Sequence, residues 1–182
     1  MRSTATRNSA LLVALVATAA FAHPTGFHKK LTVTVTKTKL SALVVMDVDS
    51  GERCLLLREA VDSNRDGVLS GEEVAKLKER LVKMVTSPLR LGISGAPLSV
   101  GPKESKLSLR DDRRANDSPL SVAVMFELPL SPTPGEGTQL EVTDTSPDQS
   151  SIVLQVFQSG EALEKEVASG VMTRVRLGAL TP

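Results

Sequence analysis

The chain has 182 residues with a formal net charge of +1, and neither sign is in enough excess to draw nucleic acid or anionic lipid electrostatically. Trp and Tyr are absent and only 4 Phe occur, which leaves few stacking surfaces for bases or sugars. The lone Cys54 excludes an internal disulfide and sits among leucines at helical spacing, the setting of a small buried residue. At the N-terminus Arg2 and Arg7 precede an apolar, alanine-rich run that ends Ala20-Phe21-Ala22. That pattern predicts a signal peptide over residues 1–22, cleaved before His23, because the run is too short to span a bilayer. No later segment is long and apolar enough to cross one, so the expected product is secreted or periplasmic, with residues 23–182 forming a single domain.

The first element of that domain is a hairpin. Leu31, Val33 and Val35, then Leu40, Ala42, Val44, Met46 and Val48, alternate with polar residues at the period of two expected of half-buried strands. Helical spacing follows: Asp49 with Glu52 three residues on forms a capping-box-like start, and Cys54, Leu57 and Val61 share one face. A second helix carries Val74, Leu77, Leu81 and Met84 on one face and stops at Ser87 and Pro88. Beyond it the period of two returns in PLRLGISGAPLSV, with a turn at Gly95, Ala96 and Pro97, and again in SKLSLR, PLSVAVMFELPL, TQLEVTDT, SIVLQVFQ and VMTRVRL. RDDRRANDSP and SPTPGEG are turn- and charge-rich and are expected to be solvated loops. About eight short strands without βαβ alternation predict a mainly β fold, an antiparallel sandwich of Ig-like kind, with the helix pair inserted at about residues 51–86.

Between the helices lies DSNRDGVLSGEE, residues 62–73. A plain turn would use the same residue types but has no need of their order. Asp62, Asn64, Asp66, Ser70 and Glu73 fall at loop positions 1, 3, 5, 9 and 12, with Gly67 at 6 and Leu69 at 8. A hard ion that wants six to eight oxygens at about 2.3–2.6 Å needs that alternation on a tightly curled loop. Gly67 permits the bend, the carbonyl of Val68 supplies an oxygen, and Glu73 can reach back from the first turn of the second helix.

These residues match the whole pattern D-x-[DN]-x-[DN]-G-x5-E, and the segment with its helices resembles the EF-hand family. The resemblance implies that calcium is held by Asp62, Asn64, Asp66, Val68 through its backbone, Ser70 directly or through water, and Glu73. It covers about 35 residues and lacks the usual second hand. DDRRANDSPLSV and DTSPDQSSIVLQ have no Gly at position 6 and no Glu at position 12. A lone hand must be supported by the β-domain, through the apolar faces of its helices. The layout of a strand-rich secreted domain with one calcium loop also resembles the extracytoplasmic segments of bacterial hydrogenase- and urease-accessory-type permeases.

Cleavage before His23 would leave an amine beside an imidazole, a chelator suited to copper, and His28 could add a nitrogen. In this respect the chain resembles small periplasmic copper carriers, the competing reading. Both His lie at the mature terminus, so no Ser-His-Asp or Cys-His constellation is expected, and no phosphate loop or catalytic zinc spacing occurs. Asp111, Asp112, Asp144 and Asp148 fall in turn-like contexts. The sequence therefore predicts a non-enzymatic, extracytoplasmic calcium-binding protein whose further partner, if it has one, is an extracytoplasmic protein.

Overall fold

The computed structural model describes residues 26–110, 112–131, 133–158 and 161–178. The proposed signal peptide and His23 lie outside the described residues. The described residues are mainly β, in two antiparallel-rich sheets with two helices, an arrangement consistent with a β-sandwich. The opening hairpin is present as β1 (Phe27–Val35) and β2 (Lys39–Val48), in register from Phe27 opposite Val48 to Val35 opposite Leu40. The helices follow as α1 (Glu52–Glu59) and α2 (Gly71–Thr86). Then come β3 (Leu89–Ile93), β4 (Ala96–Leu98), β5 (Glu104–Ser108), β6 (Leu120–Pro129), β7 (Gln139–Asp144), β8 (Ile152–Gln158), β9 (Glu161–Val167) and β10 (Thr173–Arg176).

One sheet has the order β5-β6-β2-β1-β8-β9, the other β10-β7-β3-β4. The expectation of wholly antiparallel pairing fails at one place: β1 and β8 run parallel, Lys29 opposite Ile152 through Thr34 opposite Phe157. No hairpin joins them, so turn geometry does not force their directions to oppose. The turn after β3 is Ser94-Gly95, both at positive φ as a two-residue hairpin turn requires, and Ala96 and Pro97 already belong to β4.

Alternation along β1, β2, β6 and β8 sends one set of side chains into a single apolar cluster that also takes in Leu140 and Val142 of β7 and Val175 of β10. The helices close it. α1 contributes Cys54 and Leu57, α2 contributes Leu77, Leu81 and Val85, and α2 packs on β5 and β6. Each such side chain stabilises the fold by about 1.5–3 kcal/mol through removal of its surface from water. The expected cap of α1 does not form: its N-cap is Gly51, without a side-chain bond, and Asp49 instead accepts from His28 Nε2 at 2.7 Å. Cys54 donates its thiol to the Asp49 carbonyl at 3.1 Å, and burial pushes its pKa up. No helix among the described residues is long and apolar enough to cross a membrane.

Candidate metal centre

The dodecapeptide begins where α1 runs out. The amide of Asp62 still donates to the carbonyl of Arg58, at 3.1 Å, and the chain then curls through two left-handed residues, Arg65 at φ 57 and Gly67 at φ 78. A Cβ on Gly67 would meet nothing, so glycine serves there for its backbone freedom and not for space. Short side-chain acceptors set the curl. Asp62 Oδ2 takes the Gly67 amide at 3.0 Å, Asn64 Oδ1 the Asp66 amide at 3.2 Å, and Asp66 Oδ1 the Val68 amide at 2.8 Å. Asn64 Nδ2 also donates to Asp66 Oδ2 at 2.8 Å.

The other end is locked by α2. Ser70 is its N-cap and forms a capping box: Ser70 Oγ accepts from the Glu73 amide, and Glu73 Oε2 accepts from the Ser70 amide at 2.9 Å. Glu73 Oε1 meanwhile accepts both the amide and the hydroxyl of Ser63, at 2.8 and 2.7 Å. One carboxylate therefore ties the second loop position to the ninth. The Ser70 amide, then the Ser63 hydroxyl and amide, hold the Glu73 carboxyl down at about 2, so it is an anion although only 3% exposed.

Of the residues the sequence singles out, Asp62, Asn64, Asp66 and Val68 are drawn together by these bonds around Gly67, and Ser70 and Glu73 by the capping box. Glu73 faces Ser63 and Ser70, and among the described residues no three His, Cys, Asp or Glu side chains form a cluster able to hold a metal ion. Asp62 breaks the pattern of satisfaction. It is 9% exposed, and its Oδ1 is buried without a hydrogen-bond partner. An unpaired buried carboxylate oxygen is costly unless a cation or donor meets it. The side chain lines an open cleft of about 490 Å³ together with Glu59, Arg65, Gly67 and Ala115. The donors the loop can offer are all oxygens, a set that suits a hard cation. His28, the described member of the expected nitrogen pair, lies on β1 in its contact with Asp49.

The stretch expected to be a solvated loop, residues 110–119, is in part folded onto the dodecapeptide. The Leu69 amide donates to the Arg113 carbonyl at 2.8 Å and the Ala115 amide to the Gly67 carbonyl at 2.9 Å, so Val68 and Arg114 form an antiparallel bridge. Leu69, at loop position 8, is fully buried. Asp112 organises the segment by accepting from Arg114, Asn116 and Ser118. The Arg114 side chain first, then Asn116, hold its carboxyl well below the usual carboxylate range. From α1 the buried Arg58 reaches across, its Nη1 donating to the Arg114 carbonyl at 3.0 Å and to Asn116 Oδ1 at 2.5 Å. Asp111 lies outside the described residues.

A second polar cluster is buried within the core. Lys29 points inward from β1, and its Nζ donates to Ser146 Oγ at 2.6 Å, Asp148 Oδ1 at 3.3 Å and Asp144 Oδ2 at 3.4 Å. Asp144, read from sequence as turn-like, does cap a turn by accepting the Ser146 amide at 3.1 Å, and it is 1% exposed and paired with this lysine. All three acceptors lie on or just after β7, so the cluster fastens the connection between the sheets. No model of a protein family matches this chain, and no characterised protein matches it in sequence.

Proposed function

We propose that this chain is an extracytoplasmic calcium-binding protein in which residues 62–73 form a single EF-hand inserted in an Ig-like β-sandwich, and in which the ion stabilises or regulates an interaction module. The observation that carries the reading is the unpaired, buried Oδ1 of Asp62 at the first loop position, beside a backbone already curled through Arg65 and Gly67. Calcium would be held by Asp62, Asn64, Asp66, the Val68 carbonyl, Ser70 and Glu73, and would supply the positive charge that an oxygen-only donor set calls for. Three of these are carboxylates, so the charge attracting the ion is modest. The hydrogen bonds from Ser63 and Ser70 also compete with the ion for Glu73.

Both features place the expected affinity in the range of about 10⁻⁵ to 10⁻³ M, suited to extracytoplasmic calcium. Calorimetric titration of the protein beginning at His23 tests this. One calcium bound per chain in that range, accompanied by a rise in melting temperature, is expected. Absence of both heat and thermal shift at about 10 mM calcium, ten times the weak end of the range, overturns it.

A further inference from the structure

We infer that residues 113–115, on the connection between β5 and β6, are the second half of this cation site: a backbone segment that aims the Val68 carbonyl at the ion and is itself stabilised when the ion binds. The inference rests on the calcium reading of residues 62–73.

An extended backbone presents the N–H and C=O of successive residues to opposite edges. Gly67 and Leu69 spend their carbonyl and amide on Ala115 and Arg113. Val68 between them must therefore present its own N–H and C=O to the other edge, toward the side chains of the loop. Its N–H is seen to do so, donating to Asp66 Oδ1. The bridge thus fixes the direction of the one backbone oxygen among the proposed ligands. A free loop would let that peptide rotate.

The segment that makes the bridge is held from its other side. Arg58, on α1 and four residues before Asp62, is buried and grips the Arg114 carbonyl and Asn116 Oδ1, while Asp112 fixes Asn116 and Ser118. The Gly51 amide, at the start of α1, donates to the Asp117 carbonyl at 2.9 Å. Both ends of α1 are therefore attached to the same segment that orients Val68. Binding at the loop and order in residues 113–117 form one equilibrium, and by linkage the factor by which calcium protects the segment equals the factor by which the segment strengthens calcium binding. The ion's effect then reaches the β5–β6 end of the six-stranded sheet.

The test uses the full protein from His23, with calcium as the probe, in wild type and the variants Ala115→Pro, Ala115→Ser and Asn116→Ala. Ala115→Pro removes the amide that meets the Gly67 carbonyl, whereas Ala115→Ser keeps it. Calorimetry should show affinity weakened about tenfold by the proline, as for other groups that orient ligands without touching the metal, and unchanged within about twofold by the serine. Amide exchange at Leu69 and Ala115 in wild type should slow by a similar factor, about tenfold, when calcium is added. Asn116→Ala leaves the backbone intact should the proline variant fail to fold, and it should weaken binding by about threefold or more. If wild type binds calcium but both Ala115→Pro and Asn116→Ala bind equally well, or if exchange at Ala115 ignores the ion, the coupling is wrong while the calcium site stands. If wild type binds no calcium, both readings fall.

Discussion

Asp62→Asn separates the two roles proposed for the loop, because the calcium reading gives it opposite signs in the presence and absence of the ion. Oδ1 of Asp62 is buried without a hydrogen-bond partner while Oδ2 accepts the Gly67 amide. The charge also lies just past the C-terminus of α1, the end of a helix that disfavours an anion. Asparagine keeps the shape and the acceptor for Gly67 and removes the charge. An unsatisfied buried polar group costs about 1–3 kcal/mol, more when charged, and the amide leaves only a neutral one behind, so the variant should be more stable than wild type by about 1 kcal/mol. For a chain of this size that is about 2–4 °C in melting temperature. With calcium at about a hundred times the dissociation constant, wild type gains about 2.7 kcal/mol, or roughly 5–10 °C, while the variant, short of one carboxylate, gains little. Thermal melts in chelator and in calcium should therefore cross: the Asp62→Asn variant above wild type in chelator, below it in calcium. A variant that melts well below wild type in chelator would show that Asp62 is a structural acceptor and that its second oxygen has no ion to wait for.

Two further outcomes follow from the other polar groups. Lys29→Met strands Asp144 and Asp148 without their cation and should destabilise by about 3–5 kcal/mol in urea unfolding, as broken buried pairs do. Adding Asp144→Leu should recover part of that loss, and a single-variant cost below about 1 kcal/mol would mean the pair is hydrated in solution. Asp112 titrates below its unfolded value, so the stability it contributes is complete above about pH 4 and is lost as pH falls further. The urea midpoint of Asp112→Asn should accordingly trail wild type by a constant margin from pH 7 to about 4, with the margin narrowing toward pH 2; a margin independent of pH throughout would refute the assignment.

What could be read in advance depended on how each element is stabilised. β2 and β6 bury one face and expose the other, so Leu40 to Val48 and Leu120 to Leu128 show their period openly. β9 is an edge strand in which only Val167 is buried, and its residues Glu161 to Glu166 show no such period. Lys29 shares the parity of Leu31, Val33 and Val35, the inward half of the alternation, and its charge there is balanced by acceptors 115 to 119 positions away. No local pattern can announce a partner so distant. The parallel pairing of β1 with β8 is hidden for the same reason, since only hairpin turns declare register in sequence.

The site divides along the same line. Residues 62–73 stood out because the loop is built from side chains of one continuous segment, and the order of Asp, Asn, Gly and Glu is the record of its geometry. Residues 113–115 contribute an amide and a carbonyl, groups that nearly every residue owns, so RDDRRANDSP carries no mark of its contact with Gly67 and Leu69. One signal was nevertheless present. Arg58 stands on the same helical face as Cys54, Leu57 and Val61, and a guanidinium on an apolar face must either snorkel to water or find acceptors inside. It finds them on residues 114 and 116, and its Nε is still left unpaired, like Oδ1 of Asp62 four residues later. Two unsatisfied polar atoms four residues apart, one on α1 and one just past its end, are a local cost in an otherwise consistent fold, and such costs concentrate where a protein is organised for something other than its own stability. Since α1 bears Arg58 and ends three residues before Asp62, it is the element through which an ion at Asp62 and order at Asn116 would be coupled.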